Sequence, residues 1–345
     1  MRWITALVVC LTISAAPTAA PDPDTLMANG HWKRARAVAE AAYKAAPKDA
    51  RAAYWLGRAR HEFNHLDEAQ KLLEAAVRLD PKSSPYHREL GELYADQAER
   101  ASVLRQLGLA HKSRDQFDAA LAIAPRDPDN LFDRMLYYLQ APGIAGGDKK
   151  KAAELAAEIA KIDAARGYLA QARIARADKQ DVESLYRKAV EADPKNFDAG
   201  LELAAVAGDR EAHARAMLAL NPDRIEGYRW LAMALAQQNK VEEAAQVIAR
   251  AQSAIPDDLS PLVYAARGLL AKSFDLPRAE AWLRKYLAET SEPEPGAPIP
   301  AGAHWSLGLV LEKQGRKLDA VRELQEAVRL KPDFEQAKRD LKRMR

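Results

Sequence analysis

Cysteine is nearly absent: Cys10 is the only one in 345 residues. Without residues 1–20 the chain has no disulfide framework, no thiol nucleophile and no cysteine-ligated metal. Threonine is scarce as well, at positions 5, 12, 18, 25 and 290 only. Long stretches of Ala, Leu, Arg, Glu and Lys remain, and these favour helix over strand. The composition therefore speaks against an all-β protein or a βαβ enzyme. Gly 16 and Pro 19 are too few for a collagen-like or disordered chain. Charge of neither sign dominates, because 52 Lys and Arg face 49 Asp and Glu for a net +3. That balance gives no support for binding of nucleic acid through bulk charge. What is present in quantity is apolar side chain, 48% of the sequence, enough for a substantial core.

Long hydrophobic runs are missing too, with one short exception at the start. Met1 and Arg2 precede an apolar run from Trp3 to Ile13, and Ser14 to Ala20 is small and contains Pro17. This is the layout of a secretory signal peptide, and the run is shorter than the roughly 20 residues that span a bilayer. Residues 1–20 are expected to be a leader and residues 21–345 a periplasmic or secreted chain. The alternative is an uncleaved anchor in the inner membrane through residues 3–16. Lipidation of Cys10 is opposed by Leu7, Val8 and Val9, which lack the small side chains such processing prefers.

The rest of the chain repeats itself. Tyr54-Trp55-Leu56-Gly57, Arg88-Glu89-Leu90-Gly91, Arg229-Trp230-Leu231-Ala232 and Trp305-Ser306-Leu307-Gly308 share one pattern. Each is followed by a polar turn, an Ala-rich stretch and a proline: Pro81, Pro125, Pro256 and Pro332. Further closing prolines are Pro47, Pro194 and Pro222. Pro47 to Pro81 and Pro222 to Pro256 are both 34 residues, while Pro81 to Pro125 is 44. In residues 50–83, Leu56, Gly57, Leu66, Ala69, Leu73, Ala76 and Val77 line the facing sides of two helices. Gly57 and Ala69 are small enough for close approach, and Pro81 ends the second helix. One such hairpin cannot bury its apolar face alone, so copies must stack.

This pattern resembles the tetratricopeptide repeat. Residues 50–83, 225–258 and 301–334 carry it through Leu56, Gly57, Ala69, Ala76 and Pro81 and their counterparts Leu231, Ala232, Ala244, Ala251 and Pro256, then Leu307, Gly308, Ala320, Ala327 and Pro332. Residues 163–196 carry it through Leu169, Ala170, Ala189 and Pro194. The unit 84–127 is stretched, 128–162 lacks the closing proline, 197–224 is truncated, and 259–300 ends in a Pro-rich segment. Residues 24–48 look like a partial first repeat. The resemblance implies an all-α, right-handed superhelical solenoid over residues 21–345, about nine repeats with a capping helix at 334–345. It also implies a concave groove lined by the first helix of each repeat, holding a segment of another protein. By register the groove positions are Tyr54, Arg58, Arg88, Glu92, Gln171, Arg229, Met233, Arg267, Trp305 and Leu309. Tyr, Trp and Arg dominate interface energies. Four arginines on one surface suggest a partner bearing carboxylates. The competing reading is that Arg88 pairs with Glu92 and Arg58 with a neighbouring repeat.

Two motifs invite chemistry. His61-Glu62-Phe63-Asn64-His65 has the letters of a zinc-peptidase helix. The repeat register instead sets His61 near the end of one helix, Asn64 in the turn and His65 at the start of the next. Gly143, Gly146 and Gly147 before Lys149 suggest a phosphate loop, but the spacing is wrong and no Ser or Thr follows Lys149. Asp148 reads as an N-cap for a helix over Lys149–Ile162. Residues 291–300, with four prolines, read as an extended spacer able to let the last repeat shift. The expected function is a non-catalytic protein-interaction scaffold of the bacterial cell envelope, with no cofactor, no nucleic acid and no small-molecule substrate. The alternative is a zinc-dependent peptidase or metalloprotein using His61 and His65.

Overall fold

A computed structural model describes residues 21–344, so the expected leader over 1–20 lies outside the described residues. Among them are nineteen α-helices, one short 3-10 helix and no strand, an all-α helical-repeat solenoid. The first eighteen helices form nine consecutive helical hairpins. These are α1 (Pro23–Ala28) with α2 (Trp32–Ala45), α3 (Ala50–Glu62) with α4 (Leu66–Leu79), and α5 (Ser84–Arg100) with α6 (Val103–Ile123). Next come α7 (Pro128–Gln140) with α8 (Lys149–Ile162), α9 (Ala164–Ala177) with α10 (Glu183–Ala192), and α11 (Phe197–Val206) with α12 (Arg210–Leu220). The last three are α13 (Ile225–Gln237) with α14 (Val241–Ala254), α15 (Ser260–Lys272) with α16 (Leu276–Glu289), and α17 (Pro300–Lys313) with α18 (Lys317–Leu330). Helix α19 (Glu335–Met344) closes the array, burying Ala337, Leu341 and Met344.

Local chemistry sets the helix ends. Seven of the second helices, α2, α4, α6, α10, α12, α14 and α18, stop two residues before a proline, which can neither donate to the ladder nor let its predecessor stay helical. After α8, which has no such proline, Asp163 serves twice: it ends α8 and its side chain accepts from the Arg166 N–H to cap α9. Within hairpins, Asn64 and Asn239 turn the chain at φ 66° and 62°, the left-handed region Asn tolerates. Small residues face large ones across several hairpins. A Cβ on Gly57 would lie 2.7 Å from the Leu73 side chain, and one on Gly308 would lie 2.9 Å from that of Leu324. Ala69, Ala76, Ala244, Ala251, Ala320 and Ala327 are fully buried. The core is correspondingly drawn out along the array, in clusters spanning α1–α3, α3–α5, α7–α11 and α12–α19.

The irregular units have structural outcomes. The stretched unit lengthens α5 to 17 residues and α6 to 21, and the truncated one shortens α11 and α12 to 10 and 11. The Pro-rich segment is not a loose spacer, which corrects the sequence expectation. Arg229 donates to the Gly296 carbonyl at 3.2 Å, and the Tyr286 hydroxyl donates to the Pro298 carbonyl. Glu294 within it is only 4% exposed and accepts from the Lys33 backbone N–H at 3.2 Å, at the start of α2. The array thus curls until its first hairpin meets loops far along the chain. His31 reaches Asp223 at 3.1 Å, Arg34 reaches Asp257 at 2.5 Å, and Arg36 reaches Glu292 at 2.6 Å.

Candidate functional site

First helices touch first helices in the series α3–α5–α7–α9 and α11–α13–α15–α17, so their register positions follow one side of the array. Along it, the arginines selected from the sequence are mostly occupied. Arg58 binds Glu89 at 3.1 Å and lies 3.7 Å from Asp24. Arg88 binds Asp129 at 3.0 Å and Asp133 at 3.4 Å, with Glu92 at 3.9 Å. Arg229 is 6% exposed and held by Asp258 at 2.7 Å and Ser260 at 2.5 Å. In each case a neighbouring repeat supplies the carboxylate. The expectation that these three offer free charge to a partner's carboxylates is corrected by that pairing. Arg267 differs: it donates to Ser306 at 3.0 Å and to the Gly302 carbonyl at 3.2 Å, with no carboxylate partner among the described residues. Burial holds its pKa below the usual arginine value, against the pull of Tyr264 and Tyr286.

The remaining groove positions divide similarly. Tyr54 is buried, its ring 4.6 Å from that of Tyr86, and burial pushes its hydroxyl up to about 12. Trp305 is taken by the cap: its Nε1 donates to Asp340 at 2.8 Å and its ring meets Phe334 at 5.6 Å. Gln171, Met233 and Leu309 are half-buried.

The structure separates the two histidines of the peptidase-like motif. His61 lies in the last turn of α3, while His65 follows the Asn64 turn and stands at the N-cap of α4. His61 donates through Nδ1 to Glu89 at 2.9 Å and through Nε2 to Asp96 at 3.2 Å. Burial opposes its charge, but the hydrogen bonds to Asp96 and Glu89 hold its pKa up at about 10. A doubly protonated imidazole has no lone pair for a metal. Among the described residues no group of three or more His, Cys, Asp or Glu side chains is placed to hold a metal ion. The Gly-rich loop closes on itself as well. Tyr137 donates to the Ala145 carbonyl at 2.6 Å, and Asp148 accepts from the Lys150 and Lys151 N–H groups at the start of α8. The Lys149 ammonium is paired with Asp178 at 2.6 Å.

Between α3, α5, α6 and α7 lies a cavity of about 490 Å³ that the sequence did not single out. Its polar lining includes Glu62, Glu92, Asp96, Glu99 and Asp133, against His61 and Arg100. Its apolar wall includes Ala98, Ala110, Phe117 and Leu136. Burial, then the Glu89 and Asp133 carboxylates, raises Glu92 well above the carboxylate range. Asp133 is pushed up to about 6, by burial first, with Arg88 opposing. Burial and Glu89 raise Glu62. Glu89, beneath the wall, goes the other way: burial opposes its charge, but the His61 hydrogen bond and Arg58 outweigh it and hold it low. The residues that build this cavity from α5 and α6, among them Ala98, Glu99, Arg100, Gln106 and Ala110, belong to the stretched unit 84–127. The 44-residue spacing between Pro81 and Pro125 was the available signal.

Two family models described as tetratricopeptide repeat match the sequence, one at residues 26–93 and the other at 210–259 and 275–333, together about half the chain. Among solved structures, a thermophilic TPR protein of Thermus thermophilus is 22% identical over 53% of this chain and 94% of its own, with a TM-score of 0.47. Yeast Tom70 is 15% identical over 93% of this chain and 79% of its own, with a TM-score of 0.48. A tetratricopeptide repeat protein from Parabacteroides merdae is 16% identical over 93% of this chain and 95% of its own, with a TM-score of 0.36. No curated protein matches the sequence.

Proposed function

The chain belongs to the tetratricopeptide repeat family, and on that premise we propose that it is a non-catalytic scaffold of the bacterial cell envelope that holds a segment of a partner protein along its first-helix face. The observation that carries this reading is the two series of touching first helices, with Gln171 left half-buried on the first and Met233, Arg267 and Leu309 on the second. A half-buried apolar or hydrogen-bonding side chain on a rigid array is a preformed contact with little ordering cost. Arg267 is the one selected arginine with spare capacity for an acidic or carbonyl contact. The leader-like start, Met1 to Ala20, supports export to the periplasm or beyond.

The test is affinity capture from an envelope extract with wild type and with a Met233→Asp, Arg267→Glu variant, each checked for helicity by circular dichroism. A partner retained by the wild type and lost by an equally helical variant supports the groove. Equal retention by both proteins removes it. Arg229→Glu is unsuitable here, because it would set a carboxylate against buried Asp258 and damage the fold itself.

A further inference from the structure

The cavity between α3, α5, α6 and α7 has more acidic than basic side chains, and the fold pairs only some of them. Five carboxylates line it against His61 and Arg100, and Arg88 behind the lining binds Asp133 at 3.4 Å. His61 is already committed to Glu89 and Asp96, and Arg100 donates to the Asn64 side chain. Glu62 and Glu99 have no ion-pair partner among the described residues. Glu92 has Arg88 at 3.9 Å, but that guanidinium lies closer to Asp129 and Asp133. Like charges crowded in a partly closed space repel, and an incoming cation relieves that repulsion.

A second observation is independent of the acidic cluster. Ser113 on α6 is 0% exposed, its hydroxyl has no hydrogen-bond partner, and it lines this cavity. A buried hydroxyl left without a partner is costly, and one in a cavity wall is a place for a ligand's polar atom. The volume, about 490 Å³, suits an organic group rather than a bare ion. The apolar wall of Ala98, Ala110, Phe117 and Leu136 suits an aliphatic stem behind a charged head.

Exposed apolar side chains lie close to the cavity in the chain. The first turn of α6 and the corner at Pro142 border the cavity through Gln106 and Pro142. On those same two segments Val103, Leu104 and Ile144 are 84%, 95% and 81% exposed. Exposed apolar side chains within three residues of the acidic cavity's border fit a chain that carries both kinds of side chain.

We propose that this cavity receives a lysine or arginine side chain of an extended protein segment, whose neighbouring apolar residues rest on Val103, Leu104 and Ile144. The proposal rests on the scaffold reading above and adds to it the sign of the partner: basic at this site. The carboxylates of Glu62, Glu92, Glu99 and Asp133 surround the charged head, the alanines and Phe117 cover its stem, and Ser113 Oγ accepts one of its N–H groups. The ten additional residues of the stretched repeat are thereby given a purpose.

The test uses the full chain and fluorescein-labelled synthetic peptides of equal length, read by fluorescence anisotropy. One alternates leucine with lysine, one alternates leucine with glutamate, and one alternates glycine with lysine. The leucine–lysine peptide is expected to bind tightest, the glycine–lysine peptide more weakly, and the leucine–glutamate peptide not at all. Salt should weaken the binding. Glu92→Gln combined with Asp133→Asn should weaken it about tenfold. Ser113→Ala should weaken it about threefold while leaving the melting temperature unchanged or higher, since it removes an unsatisfied hydroxyl. Preference for the leucine–glutamate peptide, or unchanged affinity for the leucine–lysine peptide in both variants, overturns the proposal. Absence of binding by every peptide overturns it too. The capture experiment with Met233→Asp, Arg267→Glu is read separately, so the scaffold reading can survive while this assignment fails.

Discussion

Held between Glu89 and Asp96, the His61 imidazolium links α3 to α5 at a half-closed site. Its folded pKa, about 10, stands above the ordinary value near 6.5. The stability it contributes is therefore complete below about pH 6.5 and lost as pH rises through about 10. Melting temperatures of wild type and His61→Gln should differ most near pH 6 and converge at about pH 10. A gap that widens with pH would show that the imidazole is neutral. Arg229 and Arg58 make a second comparison. Arg229→Ala leaves Asp258 buried without its partner and should cost about 3–5 kcal/mol. Arg58→Ala removes one of two partners of the buried Glu89, which His61 still holds, and should cost less, about 1–3 kcal/mol. Urea denaturation of the two variants measures both. Equal losses would contradict the burial of Arg229.

At the scale of the helix and the hairpin, small residues decide whether two helices can meet. Ala69 and Ala320 are fully buried where a second helix faces its first. Ala69→Leu or Ala320→Leu should overpack that contact and cost about 1–3 kcal/mol, read as a lowered melting temperature. An unchanged melting temperature would mean the facing surfaces are assigned wrongly. This level was the most legible in the sequence. Leu56, Gly57, Ala69 and Ala76 are spaced by the helical period, and Pro81 marks an end by steric rule, so pattern alone specifies the hairpin. The candidate site was less legible. Register places Arg58, Arg88 and Arg229 on one side, but their partners Glu89, Asp129 and Asp258 lie about a repeat away, beyond what a helical period reports. The acidic cavity draws on α3, α5, α6 and α7 together, and only the 44-residue spacing hinted at it.

Across the whole molecule, the unforeseen feature is the return of the first hairpin onto distant loops. Arg34 to Asp257 and Arg36 to Glu292 join segments more than 220 residues apart. Glu294 accepts from the Lys33 N–H at the start of α2, where the helix dipole favours an anion. No repeat pattern encodes such a contact, because it depends on the accumulated curl of the array. Arg34→Glu with Arg36→Glu should release the first hairpin, seen as a larger radius of gyration by small-angle X-ray scattering and faster amide exchange in α2. Unchanged scattering would mean that the remaining polar contacts, His31 to Asp223 and Lys33 to Glu294, hold the closure alone. Burial raises Glu294 to about 7, with Lys33 opposing and Asp257 and Asp258 adding to the rise. Its protonated form thus suits the fold: its contribution is full below about pH 4.5 and falls as pH rises through about 7. Glu294→Gln should flatten that part of the stability profile, and an unaltered slope would exclude Glu294 as its source.

A partner segment held along the first-helix face would leave its contacts on the first helices and not on the second. The most direct measurement is site-specific photo-crosslinking in envelope extract, with the crosslinker at Gln171 or Met233 on the first helices and at Glu154 or Lys188 on the second helices α8 and α10. One partner should crosslink from Gln171 and Met233 and not from Glu154 or Lys188. Crosslinking from Glu154 and Lys188 alone, or equally from all four positions, would contradict it.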